Sequence, residues 1–74
     1  MAPLGALSQA WVSAEASLPL GWRIRGLWQF GQTWIALSEG PGIDDYASGA
    51  GRYEYQALQR LADRLRDRRG LTTG

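Results

Sequence analysis

Apolar positions recur along the chain with two different periods, and the switches between them mark out five elements. Leu4, Leu7, Trp11, Ala14 and Leu18 fall at steps of three and four, the spacing of one helix face. That spacing predicts a helix over 3–18. Pro3 suits its first turn, where an N–H is not needed, and Pro19 stops it by driving Leu18 out of the α region. Gly5 weakens the start and moves the expected firm helix toward Ser8. From 21 to 38 the period drops to two and predicts a β-hairpin, with Trp22, Ile24, Trp28 and Phe30 at alternate positions and a return strand from Thr33 through Leu37. Gly31-Gln32 between them suits a two-residue type II′ turn, which sets Phe30 opposite Thr33, Trp28 opposite Ile35 and Gly26 opposite Leu37. One face then carries Ile24, Trp28, Phe30, Ile35 and Leu37. The other carries Arg23, Arg25, Leu27, Gln29, Trp34, Ala36 and Ser38. The first is bulkier and more apolar, so it is expected to meet the helices.

Gly40-Pro41-Gly42-Ile43 has Pro second and Gly third, the pattern of a type II turn. A third strand is expected over 44–50, with Leu37 opposite Tyr46 and Ile35 opposite Ser48. Tyr46 would join the apolar face, and Asp45 and Ala47 the opposite one. Residues 52–69 make the clearest helix, with an apolar stripe of Tyr55, Leu58, Leu61, Ala62 and Leu65. Glu54 in the first turn and Arg64, Arg66, Arg68 and Arg69 in the last turns complement its dipole. Gly70 is suited to the position just past the helix, leaving 70–74 as a tail. These elements predict the α+β class: a three-stranded antiparallel sheet with two helices on one face, ordered α-β-β-β-α. All of 1–74 would be one domain, its ordered core about 4–69.

Composition narrows what such a domain can do. The chain has 74 residues, with no cysteine and no histidine. There is accordingly no disulfide framework, thiolate metal site, imidazole base or nucleophile–histidine pair, and neither catalytic activity nor a cofactor or metal is expected. A domain this small needs large buried side chains, so most of its four Trp, three Tyr and one Phe are expected in the core. The first basic residue is Arg23, which leaves no charged leader segment, and no apolar run reaches membrane-spanning length. A cytoplasmic protein with no membrane contact is expected.

The stretch Gly49-Ala50-Gly51-Arg52-Tyr53-Glu54-Tyr55-Gln56-Ala57-Leu58-Gln59-Arg60-Leu61-Ala62 resembles the end of a double-stranded-RNA-binding domain. That family shares the element order, closes its last strand with G-x-G and carries small residues along its last helix, as Gly49, Gly51, Ala57 and Ala62 do here. The resemblance implies the fold. It does not imply the activity, because Tyr53, Glu54 and Tyr55 stand where the family has a serine and two lysines that grip phosphates. The HicA-type RNA-cleaving toxins share the element order too, but their catalytic histidine has no counterpart in this chain.

Two surfaces are candidates for function. On the second sheet face, Leu27 and Trp34 flanked by Arg23, Arg25 and Gln29 combine residue types that dominate interface hot spots. This group would capture another protein or a second copy of the chain. Alternatively, Trp34 folds over Leu27 with an arginine stacked on it, an ordinary surface cluster. The second candidate is the arginine-rich helix end: Arg60, Arg64, Arg68 and Arg69 are possible nucleic-acid contacts, together with Arg23 and Arg25 of the sheet. Asp63 and Asp67 lie one turn from several of them and would neutralise part of that charge. The net charge of +1 gives no global polyelectrolyte character. Glu39, Asp44 and Asp45 read as a polar turn, since adjacent strand residues point to opposite faces. The expected function is therefore non-catalytic binding of a protein partner, with RNA or DNA binding as the alternative and inhibition of a host or phage protein as a further one.

Overall fold

A computed structural model describes the backbone of residues 2–73 and the side chains of residues 5–67. Helix α1 (Ala2–Ala16) is followed by strands β1 (Arg23–Phe30), β2 (Thr33–Glu39) and β3 (Tyr46–Gly51) and by helix α2 (Glu54–Thr73). The strands form an antiparallel meander in the order β1-β2-β3, so the α+β class and the element order are as the periodicity predicts.

The ends of α1 and β1 follow from local chemistry. The Ser17 hydroxyl donates to the Ser13 carbonyl at 2.8 Å and closes α1 two residues before the expected end. Pro19 then begins a tight turn in which the Trp22 amide donates to the Pro19 carbonyl at 3.0 Å. At the β1–β2 hairpin Gly31 has φ +65, as the first loop position of a type II′ turn requires. The pairs Phe30–Thr33, Trp28–Ile35 and Gly26–Leu37 form as expected.

Three expectations need correction. The β2–β3 turn is wider than a four-residue type II turn: Gly40 pairs with Asp45, its amide donating to the Asp45 carbonyl at 2.8 Å. The Gly42 amide donates to the Asp45 carboxylate at 2.9 Å. Gly42 does not take the positive φ of a type II turn. The longer turn slides β3 by two residues, so Leu37 lies opposite Ser48, Ile35 opposite Ala50, and Glu39 opposite Tyr46. Helix α2 also runs through Gly70 to Thr73 instead of stopping at the glycine.

The third correction is the largest: the sheet is dry on the other face. The core contains Ala10, Ala14, Ala36, Ala57, Leu58, Leu61, Ala62 and Leu65, with Ile24, Leu27, Trp34 and Ala47 packed against it. Trp28 and Phe30, expected inside, are exposed on the far side with Tyr46. The reason is how closely α2 lies on β3. A Cβ at Gly49 would fall inside the backbone of α2, against the Ala57 carbonyl and the Leu61 amide. Only the face carrying Ala36, Ser38, Ala47, Gly49 and Gly51 permits that approach. Small residues on the helices match it. Ala10 and Ala14 form the buried stripe of α1, Ser17 continues it just past the helix end, and Trp11 is displaced to its edge at 37% exposure. A bulge at Arg25 completes the arrangement. It breaks the strict alternation of β1, so Ile24 opposite Ser38 and Leu27 opposite Ala36 both face inward.

Candidate interaction surface

With the helices on the small-residue face, the bulky side of the meander looks outward, and the strand register orders it in rows. Phe30 lies beside Thr33. Trp28, Ile35 and Ala50 form the next row, then Gly26, Leu37 and Ser48, and at the far end Arg23, Glu39 and Tyr46. Phe30 is 69% exposed, Tyr46 54% and Trp28 43%. Ile35 and Leu37 between them are half-buried. The surface is uneven across the strands. Trp28 stands on β1 while Ala50 leaves β3 low in the same row, and the next row, Gly26 and Ser48, is low on both edge strands.

Charge is confined to one end. The Arg23 guanidinium donates to Glu39 Oε2 at 2.9 Å, and Arg25, on the bulge, donates to Oε1 at 3.1 Å. Glu39 is held below the usual carboxylate range, chiefly by the hydrogen bond from Arg23. Partial desolvation opposes this, while the charges of Arg25 and Arg23 and the Arg25 hydrogen bond add to it. Both arginine side chains stay more than half exposed, so the pair is a rim feature and not a buried bridge.

The residues nominated from sequence divide accordingly. Arg23 and Arg25 are exposed and held together by Glu39. Gln29 is exposed opposite Trp34. Leu27 and Trp34 are half-buried; both pack against the core on the helix-covered face, on the opposite side of the sheet from Trp28 and Phe30. Arg60 donates to the Ala50 carbonyl at 3.0 Å, tying α2 to the edge of β3. Arg64 is exposed, and Arg66 pairs with Asp63. The side chains of Arg68 and Arg69 lie outside the described residues. Arg60 reaches the sheet at the Ala50 row, two rows from the Arg23–Glu39 row, and on the helix-covered side. Among the described side chains the two arginine groups therefore do not merge into one basic tract.

Trp28, Phe30 and Tyr46 are the surface residues that sequence reasoning assigned to the interior. A signal for them was present. Gly49 and Gly51 share their parity with Ala36, Ser38 and Ala47, and that all-small face matches the alanines of both helices. Elsewhere, Asp45 is engaged by the Gly42 amide and Glu39 by two arginines, so the acids of the β2–β3 turn serve the turn itself. Among the described residues no group of three His, Cys, Asp or Glu is placed to hold a metal ion. Nor is any helix among them long and apolar enough to cross a membrane. No protein-family model matches the chain, and no curated protein or solved structure matches it.

Proposed function

We propose that this chain is a non-catalytic protein-interaction domain that docks its partner on the outer face of the sheet. The observation that carries this is the joint exposure of Trp28, Phe30 and Tyr46 on one face. Large apolar patches are uncommon on folded domains unless they are used, and aromatic anchors rimmed by arginine are the usual composition of binding hot spots. Arg23 and Arg25 provide that rim.

Nucleic acid is the competing reading, suggested by the element order shared with double-stranded-RNA-binding domains and by the exposed rings. Three observations weigh against it. Glu39 engages both sheet arginines, Arg60 lies on the helix-covered side away from them, and Tyr53, Glu54 and Tyr55 occupy the start of α2, where Tyr53 and Tyr55 stack on each other at 5.8 Å. A phosphate tract needs contiguous unneutralised cations.

The test is capture from native lysate by the wild-type chain and by Trp28→Glu, with and without nuclease. The expected result is capture by wild type that survives nuclease and is lost in Trp28→Glu, with Leu20→Ser, an exposed loop position, behaving as wild type. Capture that nuclease abolishes, or that Trp28→Glu retains, overturns the proposal.

A further inference from the structure

We infer that the occupant of the outer face is a second copy of this chain, packed sheet against sheet about a two-fold axis running along β2. This rests on the reading of that face as a docking surface and adds the identity of the partner.

The first argument is shape. Closed two-fold dimers require one patch to be complementary to itself. A two-fold along β2 lays β1 of each copy across β3 of the other. The Trp28 ridge then descends on the low lane formed by Ala50 and Ser48 in the second copy, and the reverse contact forms with it. Ile35 and Leu37, on the central strand, meet their own counterparts near the axis. Trp28 and Ala50 lie on opposite edge strands in the same row, which is the relation such an axis demands. Facing sheets pack about 10 Å apart and rotated by roughly 30°, so the rows cross at a shallow angle.

The second argument is area. Three aromatic side chains exposed to 43%, 69% and 54% present roughly 300 Å² between them, taking about 200 Å² for each full ring. Half-buried Ile35 and Leu37 and the residues of the low lane extend this patch. Two such faces together approach the ~1,000 Å² at which specific interfaces begin. That scale matches a small dimer of modest affinity better than a large obligate assembly.

The third argument is charge. The centre of the face is uncharged, so no buried ion has to be matched by a partner of opposite sign. The charged row is nearly balanced by Glu39 against two arginines, and the axis along β2 brings Arg23 of one copy toward the ring of Tyr46 in the other, a favourable cation–π approach.

Sedimentation velocity of the full chain, over a concentration series from about 1 to 500 µM, tests this. Wild type should shift from monomer to dimer. Trp28→Glu and Ala50→Arg should each weaken association by about tenfold or more. Both sites are on the outer face, and circular dichroism checks that each variant is folded. Mixing the two variants should restore the dimer. The axis places the introduced carboxylate of one variant against the introduced guanidinium of the other, while the second Trp28–Ala50 contact remains native. A wild-type chain that stays monomeric throughout overturns the second-copy inference and leaves the docking face to the capture experiment. A dimer that survives both substitutions forms through another surface and overturns the inference, while the docking-face reading stands or falls with the capture experiment. Two monomeric variants whose mixture stays monomeric overturn the proposed axis.

Discussion

At the residue scale the decisive comparison is between two tryptophans that lie near each other on opposite faces. Trp34 packs with Leu27 against the core, whereas Trp28 is exposed. Trp34→Ala should therefore lower stability by about 2–4 kcal/mol and Trp28→Ala by less than about 1 kcal/mol, read from urea denaturation midpoints. The reverse order would invert the sheet. Glycines provide a second comparison. At Gly49 any side chain meets helix backbone that has no freedom to move, so Gly49→Ala should cost about 2 kcal/mol or more or prevent folding. A Cβ at Gly5 of α1 meets nothing, and Gly5→Ala should stabilise by about 0.5–1 kcal/mol in thermal melts. Neither Trp28 nor Trp34 announces its side from its own identity, because burial depends on which face the helices can approach.

At the element scale, most of the structure was readable from period. Strong apolar spacing over Leu58, Leu61, Ala62 and Leu65 located α2, and all four are buried. The two-residue turn at Gly31-Gln32 located the first hairpin and its register. Where the chain offers several local solutions, reading failed. Gly40-Pro41-Gly42-Ile43 is compatible with a tight turn, but Asp45 closes a wider one by accepting the Gly42 amide, and β3 shifts by two. The bulge at Arg25 was invisible for a similar reason, since the Glu39 carboxylate that Arg25 reaches lies on another strand, fourteen positions along the chain. That bulge brings two arginines onto Glu39, with a consequence for pH. A carboxyl held below its unfolded value contributes stability that is present above the ordinary Glu range and is lost as pH falls through the folded value. Thermal melts from about pH 7 to about pH 3 should show this acid-side loss, and Glu39→Gln should be less stable than wild type at neutral pH and show less of the loss.

For the whole molecule, the outcome turns on which of two apolar sheet faces the helices cover. The bulky face, with Trp28, Phe30, Ile35, Leu37 and Tyr46, offers more area, and on area alone it would be buried. The other face admits close approach, and close approach lets α2 bury Leu58, Leu61 and Leu65 completely with the alanines of α1 and β2 around them. Packing density at short range thus outweighs the larger apolar area, and the displaced area becomes the candidate interface. The chain's pattern shows arginine beside tryptophan on a sheet face, but which tryptophan looks outward, Trp28 and not Trp34, follows from the packing of the helices.

Local rules were sufficient for the elements, their order and the first hairpin, because helical and strand periods, prolines and a two-residue glycine turn each act within a few neighbouring positions. Three features were decided only in the assembled fold: the side of the sheet that is dry, the offset of the last strand and the separation of the two arginine groups. Each depends on how near one backbone can come to another. That distance is set jointly by small residues far apart in the chain, such as Gly49 and Ala57 or Ala14 and the stripe of α2 it meets.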